Sequence, residues 1–217
     1  MSVRLRTLET IIYQIAKHTF HPIPQLRYEM LSDSSKEMLH ELVKKWGGNP
    51  SRLIKFQPRP WQIELEGNIA VCLDENISFN RYRLETLYYP FYQTFKGFSL
   101  SNYQRYCRQF ETECAKTATN TPTIWSTQQG EYFFGPSSPV GEWNGNGSNG
   151  LKMLAFTHFW EDLTTTCLPV KVIRISIWDN IMIQKQLFSL DKMLLSPTPS
   201  QREALSKMLK RKLESIT

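Results

Sequence analysis

Four carboxylates, Glu64, Glu66, Asp74 and Glu75, crowd the stretch PWQIELEGNIAVCLDEN of an otherwise basic chain. Acids at strand ends hold Mg²⁺ in metal-dependent phosphodiester hydrolysis, because hard cations take oxygen ligands. Whether these four could do so depends on which of them share a face. Ile63 and Leu65 alternate with acids, and Ile69, Val71 and Leu73 alternate with Ala70, Cys72 and Asp74, which is the pattern of a β-hairpin. A two-residue turn at Gly67-Asn68 would oppose residues of unlike parity and mix the two kinds on both faces. A three-residue loop, or a bulge with Gly67 or Asn68 at positive φ, segregates them. That register puts Trp61, Ile63, Leu65, Ile69, Val71 and Leu73 on a core face, and Gln62, Glu64, Glu66, Ala70, Cys72 and Asp74 on the other. Glu64 and Asp74 then share a side. This is a condition for a shared cation, and equally the pattern of a solvated polar face.

Other chemistry-bearing groups are scattered. Cys72, Cys107, Cys114 and Cys167 form no CxxC, and His18 and His21 lack a second ligand pair at zinc-site spacing. Reduced thiols and a cytoplasmic location are the expectation. Gly145-Asn146-Gly147-Ser148-Asn149-Gly150 is a GxGxxG, but no strand feeds it, so no nucleotide cofactor is expected and the run reads as a flexible lead into a helix. Lys152 follows at that helix's first turn. Arg81 and Arg83 flank Tyr82, an arrangement suited either to gripping phosphates beside a stacked base or to plain packing. Lys44, Lys45, Arg52, Lys55 and Arg59 read as a solvated face before a phosphate patch.

These groups must be placed by a chain of 217 residues with net charge +6. Its length suits one domain, with a helical part over 1–58, an α/β core over 59–196 and a basic helix over 197–217. Residues 1–60 carry ten Lys/Arg against five Asp/Glu, 61–150 six against nine, and 151–217 ten against six. Cationic ends around an acidic middle suit phosphate binding without being specific to it. No apolar run is long enough to span a bilayer.

Helices are expected over 2–18 and over a segment opening at Ser34-Ser35-Lys36-Glu37 and stopped by Gly47-Gly48. Another is expected over 99–116, with Tyr103, Cys107, Phe110 and Cys114 inward, and a buried one over 151–163. Residues 117–150 read as irregular, pinned by Trp125, Tyr132, Phe133, Phe134 and Trp143. VKVIRISIWD reads as an interior strand, and 180–195 as a strand pair or a helix. The last helix is capped by Ser200-Gln201-Arg202-Glu203 and exposes Lys207, Lys210, Arg211 and Lys212.

ELEG-NIAVCLDEN, then GLKMLAFTHFWEDL, then PVKVIRISIWD resembles the core of the PD-(D/E)xK nucleases, nearest their very-short-patch-repair endonuclease-like branch. About 60 residues in two pieces carry the likeness, so it is short and degenerate. It implies an α+β fold with a restriction-endonuclease-like core: a small mixed sheet flanked by helices. It implies Mg²⁺ held by Glu64 and Asp74, with Lys152 standing for the missing strand lysine and completing the catalytic set. Arg81, Arg83, Lys207, Lys210 and Arg211 would hold nucleic acid. Cys72 departs from the pattern, since it stands where the family has an acid and a thiol is a poor ligand for a hard cation. Two functions therefore stand side by side: a Mg²⁺-dependent endonuclease, or a catalytically silent module on the same fold that binds nucleic acid or a protein partner.

Overall fold

The computed structural model describes residues 1–18 and 22–216. His21 therefore lies outside the described residues. The fold is mixed α+β, mostly helical, with sheets of three and two strands.

In chain order the elements are α1 (Val3–Ile15), α2 (Asp33–Lys45), β1 (Ile63–Leu65), β2 (Ile69–Asp74), α3 (Arg81–Thr86), α4 (Leu100–Gln109) and α5 (Glu111–Thr119). Then come α6 (Pro122–Trp125), α7 (Gln128–Phe134), α8 (Asn149–Cys167), β3 (Lys171–Ser176), β4 (Asn180–Ile183), β5 (Gln186–Ser189), α9 (Leu190–Met193) and α10 (Pro199–Glu214).

The hairpin takes the register expected of its alternation. Ile63 pairs with Val71, Glu64 with Ala70 and Leu65 with Ile69, leaving Glu66-Gly67-Asn68 as a three-residue loop. Gly67 and Asn68 both sit at positive φ, where glycine and asparagine are the cheapest residues. β2 is the middle strand, pairing in parallel with β3 through a crossover that spans residues 75–170. One face of the sheet, Ile63, Leu65, Ile69, Val71, Leu73, Ile173 and Ile175, packs on Leu8, Ile11 and Ile12 of α1 and Leu205 and Leu209 of α10. The other face lies under α8. The sheet is thus the middle of three layers, and β2 is buried along its whole length.

Several expectations need correction. Trp61 joins Ala70, Cys72 and Val172 on the opposite face from Ile63, because strand geometry begins only at Ile63 and alternation does not reach back to it. β3 is buried on both faces yet lies at the sheet edge, where Arg174 N–H donates to the Gly97 carbonyl. The single helix over 99–116 is two, broken at Phe110. Residues 117–150 hold α6 and α7 rather than irregular chain.

Both capping signals lie two residues early. Ser32 caps α2, and Thr198 with Gln201 forms the reciprocal box that opens α10. α2 ends as Gly47-Gly48 requires: Gly48 N–H returns to the Val43 carbonyl and Gly47 N–H to that of Lys44, with Gly47 at φ 77°. Residues 180–195 form the β4–β5 hairpin followed by the short α9. No helix among the described residues is long and apolar enough to cross a membrane.

Candidate functional site

The four acids do not converge. Glu64 and Asp74 share a side of the hairpin, but Glu64 is opposite Ala70 and Asp74 lies four residues further along β2, about 13 Å away at the rise of a strand. Glu64 accepts a long hydrogen bond from Ile23 N–H at 3.4 Å, whereas Asp74 is buried in the interior. Glu75 turns to the other side and meets Arg4.

Asp74 belongs to a network of charges between β2, β3 and α8. Arg174, fully buried on β3, donates from Nη1 to Asp74 at 2.9 Å, from Nε to Asp162 at 2.6 Å and from Nη2 to Glu161 at 2.8 Å. Arg59 closes on Glu161 at 2.7 Å, and Arg83 on Asp162 at 2.6 Å, where the Tyr92 hydroxyl also donates. Three guanidiniums thus face three carboxylates. Burial opposes the charge on Arg174, but Asp162, Asp74 and Glu161 outweigh it and hold its pKa well above the ordinary value. Burial raises the Asp74 pKa, opposed by Arg174 and Arg83. Burial and the surrounding arginines keep His158, 3.7 Å from Asp74, well below its ordinary pKa.

A Mg²⁺ ion does not fit these donors. Asp74 Oδ1 is already taken by a guanidinium, Glu64 is out of reach, and Cys72 is a buried thiol pushed up to about 12, chiefly by desolvation. Among the described residues no three His, Cys, Asp or Glu side chains are arranged to hold a metal ion. The roles expected for Glu64 and Asp74 as a metal pair therefore do not match this geometry. Arg83 is likewise corrected: at 1% exposure and committed to Asp162 and Tyr92, it cannot reach a phosphate.

Two other expected residues do meet. Lys152 and Arg81 line one surface hollow of about 420 Å³, together with Lys45, Trp46, Tyr82, Glu85, Trp143 and Asn146. Lys152 comes from the first turn of α8, Arg81 and Glu85 from α3, and Lys45 from the end of α2. Trp143 and Asn146 precede α8. Glu85 organises one wall by accepting from Trp46 Nε1 at 3.0 Å and pairing with Lys45 at 2.9 Å. Arg81 pairs with Glu111 at 2.5 Å and lies 4.5 Å over the Trp143 ring.

Lys152 forms the floor. Its ammonium donates to the Trp46 carbonyl at 2.8 Å and to Asn146 Oδ1 at 2.5 Å, and stands 5.6 Å from the Tyr82 ring centroid. Asn146 is oriented for this by its own Nδ2, which donates to the Phe134 and Pro136 carbonyls. Burial lowers the Lys152 pKa to about 8, and Glu85 offsets only part of that.

The Gly-rich run earns its glycines here by close packing: a Cβ on Gly147 would meet the Tyr82 hydroxyl, and one on Gly150 the Ile124 carbonyl. Lys207, Lys210 and Arg211 lie on α10, in the layer across the sheet from the hollow, with Lys207 paired to Glu203 and Lys210 near Glu214. From the sequence Lys45 reads as a solvated residue, and nothing marks Glu85 or Asn146 as site residues. No spacing in the sequence joins residues of α2, α3 and the loop before α8.

The described residues form an α+β protein with an interior weld of arginines and carboxylates and a surface hollow lined by cations and aromatic rings. The chain belongs to a family of unknown function (DUF7255), whose model matches residues 41–196 and so covers the sheet, the weld and the hollow. No curated protein and no solved structure matches it.

Proposed function

We propose that this protein is a nucleic-acid-binding module without phosphodiesterase activity, on a core that resembles a nuclease. The observation that carries this reading is the convergence of Lys45, Arg81 and Lys152 with Trp143 on one hollow, while Asp74 is neutralised by Arg174 in the interior. Three cations against two carboxylates, Glu85 on Lys45 and Glu111 on Arg81, leave a positive excess at Lys152 that favours an anion, and the aromatic lining favours bases. The basic ends of the chain add a weaker, diffuse attraction.

The test is anisotropy titration of labelled single-stranded DNA and RNA, beside cleavage assays with Mg²⁺ and Mn²⁺. Micromolar or tighter binding, weakened about tenfold by Arg81→Ala with Trp143→Ala, is expected. No cleavage is expected with either metal. Cleavage abolished by Asp74→Ala in a variant that stays folded would restore the nuclease reading, and binding unchanged by the hollow variants would remove this one.

A further inference from the structure

We infer that Lys152 receives a phosphate monoester carried on a nucleoside, the terminal phosphate of a strand rather than an internal diester. This rests on the nucleic-acid reading above and names its ligand. Among the described residues, the other buried cations have an acid: Arg83 has Asp162, and Arg174 has Asp74, Glu161 and Asp162, while burial and the neighbouring arginines hold His158 well below its ordinary pKa. Lys152, at 4% exposure, has a carbonyl, an amide oxygen and the Tyr82 ring, and Glu85 acts on it without forming an ion pair. A buried charge without its counterpart is costly, and neutral acceptors offset only part of that cost. An anion arriving through the hollow supplies the counter-charge.

Shape selects the kind of anion. The hollow's volume, about 420 Å³, is that of a pocket for one small ligand. Lys152 is its floor. An internal diester carries chain on two of its oxygens, whereas a terminal phosphate carries it on one and offers three free oxygens, so it reaches the 4%-exposed Lys152 with less chain to accommodate. Arg81 and Lys45 stand at the rim, each anchored by one acid, Glu111 or Glu85, with donors to spare for phosphate oxygens. The Arg81 guanidinium lies over Trp143, a planar stack on which the attached base can lie. The charged and titratable groups around Lys152 are therefore Lys45, Arg81, Tyr82 and Glu85, and only Glu85 is an acid.

The experiment is a titration of the full chain with one oligonucleotide in three forms, 5′-phosphorylated, 3′-phosphorylated and unphosphorylated, alongside a nucleoside monophosphate and inorganic phosphate. One phosphorylated form is expected to bind about tenfold tighter than the unphosphorylated strand at pH 7. That preference is lost in Lys152→Met and in Lys152→Gln, whose amide retains a donor; thermal melting confirms that each is folded. It also shrinks as pH rises through 8 and Lys152 loses its proton.

Equal binding of all three strands overturns the inference and leaves the nucleic-acid reading intact. Tight mononucleotide binding with no strand binding overturns that reading and keeps the Lys152 site. Inorganic phosphate binding as well as the mononucleotide removes the nucleoside from the proposal. A terminal preference that survives in folded Lys152 variants assigns it elsewhere and overturns the inference.

Discussion

Lys152 carries the clearest residue-scale consequence. Its folded pKa of about 8 lies below the ordinary 10.5, so between those values the unfolded chain binds more protons than the folded one. Stability contributed by this residue is complete above pH 10.5 and is lost as pH falls through 8. The difference in unfolding free energy between Lys152→Met and wild type should therefore change by roughly 3 kcal/mol between pH 10.5 and 7.5, with the variant gaining toward neutrality. Denaturant titrations of both proteins across that range check it, and the subtraction removes the buried cysteines and tyrosines that titrate in the same window. Gly147 gives a second check: with φ at 61° and no room for a Cβ beside the Tyr82 hydroxyl, Gly147→Ala should cost about 1–3 kcal/mol. Combined with Tyr82→Phe, which removes that hydroxyl, the loss should be smaller than the sum, measured as a double-mutant cycle.

At the scale of elements, Arg174 joins β3 to α8 and β2 through three carboxylates. Arg174→Met leaves those acids buried without their cation and should lower stability by about 3–5 kcal/mol. The burial-raised pKa of Asp74 fixes the sign of the pH dependence. Its ionisation costs stability as pH rises, and loss of Arg174 enlarges that cost, so the variant should recover part of its deficit between pH 7.5 and 5. Chemical denaturation at both pH values measures this.

The hairpin's register was legible before the structure, because period-two alternation admits only one pairing that segregates apolar from polar. What Asp74 does was not legible. Its partner Arg174 lies 100 residues on in sequence, and no local pattern marks an arginine as interior. α6 and α7 were hidden for a related reason. At four and seven residues, with Pro122, Gly130 and several β-branched or aromatic side chains, they are too short to form alone, and packing against α8 decides their state.

For the whole molecule, basic ends and an acidic middle suggested cationic arms around a metal centre. Folding places the charges otherwise: the acids of α8 and β2 are matched internally, and the cations of α10 stand across the sheet from those of the hollow. Strand binding through Lys45, Arg81 and Lys152 should show a slope of log affinity against log salt near −2, and Arg81→Ala should make it shallower by about 0.7.

Photo-crosslinking reads the binding face most directly. A single strand bearing 5-iodouracil, irradiated with the protein and mapped by mass spectrometry, should join to Trp143 or Tyr82 in the wall of the hollow. Crosslinks confined to the exposed face of α10, around Lys207 to Lys212, would contradict the hollow as the site.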